Sequence, residues 1–286
     1  MTGYARTATE LLGMLRSDQA LCAFNVENFD TLRPAMMAAG EMECPVIIAW
    51  TVPAAQYLGY DGTARLVGAL AEEYGVDYSL HLDHCESEDE IRRAVDAGFT
   101  SANFLDEGAI TPGSYLSSAE ALRSEFGAEV SLEFVFGQLG HIEDGHGHGA
   151  RSVVAAVDVA AFADSCKPDI VGFECGSLHG MRSRAQGIDV DLIEKVSKST
   201  GLPIVLHGSS GVREEALQDG IDAGIRKVNI ETAIRTAYLD TVRTEVNGDG
   251  AASRKPRYLT MATDAALRET FTAFLRSYTL RTRRHV

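Results

Sequence analysis

The chain has 286 residues, 45% hydrophobic and 23% charged, enough to bury a large core. Asp and Glu outnumber Lys and Arg by 41 to 26, and the formal charge of −15 argues against nucleic acid or an anionic membrane surface as principal partner. The five cysteines have no paired close spacing, so reduced thiols and a cytoplasmic location are expected; no signal peptide is expected from the polar N-terminus, and no apolar run is long enough to cross a bilayer.

Short apolar runs alternate with amphipathic segments from end to end, the pattern of parallel strands joined by helical crossovers. Strands are predicted at Leu21–Asn25, Pro45–Trp50, Tyr78–Leu82, Ser101–Phe104, Val130–Val135, Ile170–Cys175, Pro203–Leu206 and Lys227–Ile230. Eight such units close a (β/α)8 TIM barrel, read here as one domain over residues 1–286 with an extra C-terminal helix. A doubly wound sheet fits less well, because Leu21–Asn25 leads into Val26-Glu27-Asn28 rather than a glycine-rich phosphate loop. Between the strands, Ser87-Glu88-Asp89-Glu90 reads as a capping box opening a helix through Val95, Asp191–Thr200 stops at Gly201, and Arg213–Ala223 stops at Gly224. Phe136 to Ser152 reads as a long irregular loop with glycine hinges, a lid expected to close over substrate, in which His146 and His148 read as solvated in preference to an extra metal site. After a linker from Gly248 to Ser253, Ala265–Tyr278 is a terminal helix and Arg281-Thr282-Arg283-Arg284 a solvated basic tail.

Three histidines stand in equivalent positions just after strands: His84 in His81-Leu82-Asp83-His84, His179 in Gly176-Ser177-Leu178-His179-Gly180, and His207 in Leu206-His207-Gly208-Ser209-Ser210-Gly211. A lone histidine there is more often structural. Three at one barrel end suit a divalent ion, since a catalytic zinc takes three protein ligands and keeps one position open. Asp83 beside His84 is then a candidate general acid/base. Gly180 and Gly208 allow backbone amides to approach a ligand closely.

Across nearly its whole length the chain resembles the class II, metal-dependent ketose-bisphosphate aldolases, particularly the shorter branch that includes tagatose-bisphosphate aldolases. The resemblance is carried by Ala23-Phe24-Asn25, Pro45-Val46-Ile47, His81-Leu82-Asp83-His84, Gly137 through Glu143-Asp144-Gly145, His179-Gly180, His207-Gly208-Ser209-Ser210, Asn229-Ile230-Glu231-Thr232 and Pro256-Arg257, in the family's order. It implies one catalytic Zn2+ on His84, His179 and His207, Asp83 as the acid/base at the aldehyde oxygen, and Glu143 as the proton-transferring glutamate of the loop. It also implies a dihydroxyacetone-phosphate site with its phosphate at Gly180, Gly208, Ser210 and Thr232, aided by Arg184. Asn229 would contact ketose hydroxyls, Asn25 and Thr51 the substrate, and Arg257 a neighbouring subunit's distal phosphate. That trans contact implies a homodimer or homotetramer. The expected activity is reversible cleavage of a phosphorylated ketose of the fructose- or tagatose-1,6-bisphosphate type.

Carbon–carbon cleavage beside a ketone needs an electron sink, either a metal or a lysine Schiff base. The chain has five lysines: Lys167, Lys195, Lys198 and Lys255 fall in helical or linker stretches, and Lys227 opens a strand low in the barrel, away from the active end, so the metal is preferred. Two departures bear on the family's buried second metal position. Val135 replaces the second of two glutamates, leaving Glu133, and Leu105-Asp106-Glu107-Gly108 stands for an Asp-Gly-Ser by substitution or by a one-residue shift, so that position is weakened or absent unless Glu174, which reads equally as half of a buried ion pair, compensates. The same departures keep open a related lyase acting on another substrate. A catalytically silent binding barrel is disfavoured by the intact Asp83, His84, His179, His207 and Glu143.

Overall fold

The computed structural model describes residues 3–105, 112–137, 141–143, 146–148, 154–177, 184–248 and 255–281, with backbone alone at 112–115, 141–143 and 146–148. Its strands in chain order are β1 (Leu21–Asn25), β2 (Val46–Thr51), β3 (Tyr78–Cys85), β4 (Ser101–Phe104), β5 (Ser131–Phe136), a short pair β6 (His141–Glu143) and β7 (His146–His148), then β8 (Ile170–Phe173), β9 (Ile204–Leu206) and β10 (Ile225–Ile230). Eight of them close a parallel barrel in the order β1-β10-β9-β8-β5-β4-β3-β2. This is the expected (β/α)8 barrel.

Successive strand side chains point to opposite faces, and the residues sort accordingly. Leu80, Leu82, Ala102, Phe104, Leu132 and Phe134 face outward into one large apolar cluster shared with the surrounding helices. At the strands' N-terminal mouth, inward-facing Leu21, Ala23, Ile47, Ile170 and Val205 pack against Ala8, Leu11 and Leu12 of helix α1 (Ala8–Gly13), which plugs that end. Thr7 and Glu10 cap α1 reciprocally. The other mouth remains for the functional residues, as in TIM barrels generally.

Around the barrel run α2 (Phe29–Glu41), α3 (Val52–Leu58), α4 (Tyr60–Tyr74), α5 (Glu88–Asp96), α6 (Pro112–Phe126), α7 (Ala156–Cys166), α8 (Val190–Thr200), α9 (Glu214–Ala223), α10 (Thr232–Asn247) and α11 (Pro256–Phe274). The expected ends of α8 and α9 hold: Gly201 takes the left-handed conformation at φ 67° and Gly224 follows at φ 137°. Among the described residues no helix is long and apolar enough to cross a membrane.

Four expectations need correction. Ser87 caps α5 through the Glu90 amide, but the Glu90 carboxylate accepts from Tyr60 Oη at 2.5 Å and from Arg93, so the box closes on one side. The stretch from Phe136 is not wholly irregular, since β6 and β7 pair antiparallel within it; its remaining residues beyond Gly137 and before Val154 lie outside the described set. The terminal helix starts at Pro256, nine residues before Ala265, because proline suits a helix's first turn. Arg281 is buried rather than solvated, with guanidinium Nη1 and Nη2 donating to Asp222 at 2.8 and 2.7 Å.

Helix α11 is an integral wall of the core. Its fully buried Phe271 packs against Phe24 of β1 with the rings tilted by 59° and their centroids 4.6 Å apart. Phe271→Ala should therefore cost about 3–5 kcal/mol, the usual range for a buried phenylalanine. Urea unfolding of the variant checks this, and an unchanged midpoint would detach α11 from the fold.

Candidate active site

A cavity of about 420 Å³ opens at the C-terminal mouth, lined by Asn25, Thr51, Asp83, His84, His207, Gly208, Ser210, Asn229 and Thr232, together with Glu27, Glu231 and Arg235. The expected residues in that set come from the ends of five strands or the turns after them. Asn25 ends β1, Thr51 ends β2, Asp83 and His84 lie on β3, His207 follows β9, Asn229 is on β10, and Thr232 opens α10.

Strict alternation would put His81 and Asp83 inside the barrel and His84 outside with Leu80 and Leu82. The chain breaks the rule at His84, whose φ of 53° is left-handed, where the β3–β4 register shifts between Leu82 and Cys85. A non-glycine residue held there is disfavoured and persists only where its surroundings impose it. The amide of His84 donates to Asn103 Oδ1 at 3.3 Å, and the ring lands with Nε2 at 3.8 Å from Asp83 Oδ2, edge-on to His207 with centroids 5.3 Å apart. Ligand atoms of Asp83, His84 and His207 all lie within 4.8 Å of one another. Two imidazoles and a carboxylate so spaced fit a divalent ion such as zinc.

Below this level the barrel interior is polar and charged. Glu133 is fully buried; its Oε1 meets His207 Nε2 at 3.0 Å and its Oε2 accepts from Lys227 Nζ at 2.6 Å. Lys227 Nζ also lies 3.2 Å from His81 Nε2, while His81 Nδ1 meets Ser101 Oγ at 2.8 Å. With its Nε2 hydrogen on Glu133, His207 has Nδ1 as its acceptor, and that nitrogen lies 3.4 Å from Asn229 Nδ2 at the cavity. Burial opposes the Glu133 charge, but Lys227 and the His207 bond overcome it and pull the carboxyl down to about 2. Burial likewise opposes ionisation of Asp83, yet His84, His81 and Lys227 hold it well below the carboxylate range. Desolvation lowers both His81, with help from Lys227, and His207, keeping their rings neutral near pH 7.

Asp83 is further held by two carboxamides, Asn25 Nδ2 donating to Oδ2 at 2.6 Å and Asn229 Nδ2 to Oδ1 at 3.5 Å. Because an ionised carboxylate only accepts, both amide groups turn their nitrogens toward it. Their Oδ1 atoms are left buried without a protein partner. Two orphan acceptors beside a cavity call for a ligand that brings hydroxyl donors.

His179 and Gly180, and the side chain of Glu143, lie outside the described residues, as do those of His146 and His148. Arg184 is described but does not line the cavity: its guanidinium bonds Glu214 at 2.5 Å and lies over the Phe274 ring. Arg257, at the start of α11, stacks over Tyr258 and is likewise off the cavity of its own chain. Leu105 and Val135, the two departures noted in the sequence, pack against each other as a small buried apolar cluster, and Asp106 lies outside the described residues. The neighbouring group His81, Asp83 and Glu133 has ligand spacing, but the Lys227 ammonium already sits against two of its members, and a dication there would meet a buried positive charge. Glu174 does not join that group; its Oε1 accepts from the Gly176 amide at 2.8 Å. Lys227 was expected far from the chemistry, yet its long side chain reaches up to the partner of His207. Polar residues on the inward face of apolar strands, His81, Glu133 and Lys227, were the signal for this network.

The chain matches the family described as fructose-bisphosphate aldolase class-II over residues 7–280. Among solved structures it is similar to the YdjI aldolase of Escherichia coli K12 (TM-score 0.80, 17% identity, covering 96% of this chain and 97% of that one). It is similar also to a putative fructose-1,6-bisphosphate aldolase from Coccidioides immitis (0.82, 21%, 95% and 96%). A third is the fructose-bisphosphate aldolase of Campylobacter jejuni (0.79, 19%, 97% and 96%).

Two outcomes follow from the buried charges. Lys227→Met should destabilise the fold by about 3–5 kcal/mol, because it strands the Glu133 carboxylate; a urea midpoint equal to the parent's would contradict this. In metal-free protein, His81 and His207 take up protons below their usual 6.5 only on unfolding, and Glu133 stabilises the fold above its usual 4.5 but not near its folded value of about 2. Both effects have one sign. Unfolding free energy should fall continuously as pH drops from 7 toward 3, and urea titrations at stepped pH that showed a plateau or a rise would refute it.

Proposed function

Because the chain belongs to the class-II fructose-bisphosphate aldolase family, we propose that it is a divalent-metal-dependent aldehyde-lyase. It reversibly cleaves a phosphorylated ketose, of the fructose- or tagatose-1,6-bisphosphate type, to dihydroxyacetone phosphate and an aldehyde. The observation that carries this reading is the pairing of an ionised, fully enclosed Asp83 with the two imidazoles of His84 and His207 at the cavity floor.

In this reading His84 and His207, with His179 as third ligand, hold a zinc ion that when bound supplies a Lewis acid for the charge developing on the donor's oxygens. Asp83 is ionised at rest, so in the cleavage direction it accepts the proton of the hydroxyl that becomes the aldehyde, and in synthesis it returns it. As the carbon–carbon bond breaks, its electron pair stays with the donor carbon, which is then reprotonated; Glu143 is the proposed proton carrier. The unpartnered Oδ1 atoms of Asn25 and Asn229 accept from substrate hydroxyls, and Thr51 adds a further hydroxyl. The backbone turn at Gly208, where φ is 64°, and Ser210 and Thr232 beyond it receive the phosphate with Gly180. Arg257 contributes only if a neighbouring copy presents it, so a homodimer or homotetramer belongs to the proposal.

A related lyase with another substrate is favoured by one observation, the Leu105–Val135 contact in place of acids. Retro-aldol turnover of fructose 1,6-bisphosphate, tagatose 1,6-bisphosphate and other phosphorylated ketoses separates the two. The expected outcome is release of dihydroxyacetone phosphate that chelator abolishes and zinc restores. Asp83→Ala should keep the fold and bound zinc but lose roughly 10²-fold or more of turnover, as for a removed acid/base. Full activity in Asp83→Ala, or turnover indifferent to chelator, would overturn the assignment.

A further inference from the structure

The register shift in β3 is a bulge. Leu82 pairs with Ala102 and Cys85 with Phe104, so two residues, Asp83 and His84, stand opposite the single residue Asn103 of β4. A bulge interrupts the ladder and re-aims side chains, which is how two adjacent residues of one strand, ordinarily on opposite faces, both come to line the cavity. The bulge has to be held, because sliding the pairing by one residue would carry the His84 ring to the outward face with Leu80 and Leu82. Burial does not fix that ring as it fixes His207, for the His84 side chain is 25% exposed and that of His207 1%.

Neither the sequence motifs nor the family resemblance assigned Asn103 a part. It is fully buried on the inward face of β4, opposite to Ala102 and Phe104. A carboxamide is costly in such a place unless both of its ends are bonded. Oδ1 accepts from the His84 amide at 3.3 Å, and Nδ2 donates to the Glu133 carbonyl oxygen, also at 3.3 Å. Both bonds go to backbone, one to each strand beside β4. On one side is the turn at φ 53° that presents His84; on the other is β5, whose Glu133 carboxylate orients His207. Packing alone asks for no such group, since the next inward place, at Leu105, is filled by an apolar side chain.

We propose that Asn103 is a positioning residue of the metal centre: its carboxamide ties the β3 bulge to β5 and so holds His84 in the left-handed turn that aims its ring at the ion. The role rests on the aldolase reading for the ion, but not for the turn.

Two kinds of measurement test it, one of them without metal. In Asn103→Leu, which keeps the volume and removes both bonds, zinc affinity measured by competition with a chromogenic chelator should fall roughly tenfold or more, the usual loss for a partner that orients a ligand. Asn103→Ser, too short to span both strands, should lose affinity in the same sense and serves if the leucine variant fails to fold. Phe271→Ala, which weakens the core elsewhere, should bind zinc as the parent does, so that lost stability by itself does not account for the change. Cobalt-loaded Asn103→Leu should show shifted visible bands, and cobalt-loaded Phe271→Ala those of the parent. In metal-free protein, exchange of the His84 amide hydrogen relative to the amides of β4 should quicken in Asn103→Leu by roughly tenfold, the order of one lost hydrogen bond. Parent-like zinc affinity, or unchanged His84 exchange, in folded Asn103→Leu overturns the proposal and leaves the aldolase reading standing. A parent chain that binds no zinc and cleaves no ketose refutes that reading, while faster His84 exchange in Asn103→Leu would still uphold the hold of Asn103 on the turn.

Discussion

The candidate site hangs on one buried carboxylate. Glu133 sits where its charge has no access to water, and a lone carboxylate there would take a proton instead of remaining ionised. It stays charged because each oxygen has its own partner, Lys227 on one and His207 on the other. The consequence reaches the cavity: a charged Glu133 fixes which nitrogen of His207 carries hydrogen and which way the ring faces. The same ammonium lies against His81, which stands two residues from Asp83 on the same inward face of β3. Ligand orientation and the ionisation of the acid/base thus share a single charge pair.

That arrangement is possible because the barrel separates its layers by polarity. Apolar side chains fill the outward faces and, with α1, the N-terminal mouth, so the fold has a complete core without its upper interior. The upper interior is then free to hold Asn25, Asp83, His207 and Asn229, which would be costly to bury unpaired. Two of them still carry unsatisfied acceptors. A folded protein tolerates such atoms where a ligand completes them.

Arginines illustrate how little a residue type says without its surroundings. Arg281 begins a basic run that reads as a solvated tail, yet it is buried against Asp222 of α9. Arg184 follows a motif but faces Glu214 and Phe274. Arg235 belongs to no motif and faces the cavity. All three carry the same charge; packing assigns them different work.

The sequence by itself determined the barrel, because eight apolar runs spaced by amphipathic helices have few other ways to bury their surface, and seven of the strand positions fall within two residues at either end. It determined, too, that His84, His207 and Asp83 belong together, since each stands at a strand's C-terminal end, where this fold gathers its functional groups. Other features required the tertiary structure. The left-handed turn at His84 defies the alternation that places its neighbours, and only its packing beside Asn103 and His207 makes that conformation the stable one. Pairing of Glu133 with Lys227 joins residues 94 positions apart, and the seating of Arg184 on Glu214, off the cavity, depends on which acids lie within reach. Local patterns report on neighbours along the chain; charge pairs and strained ligands are settled by neighbours in space.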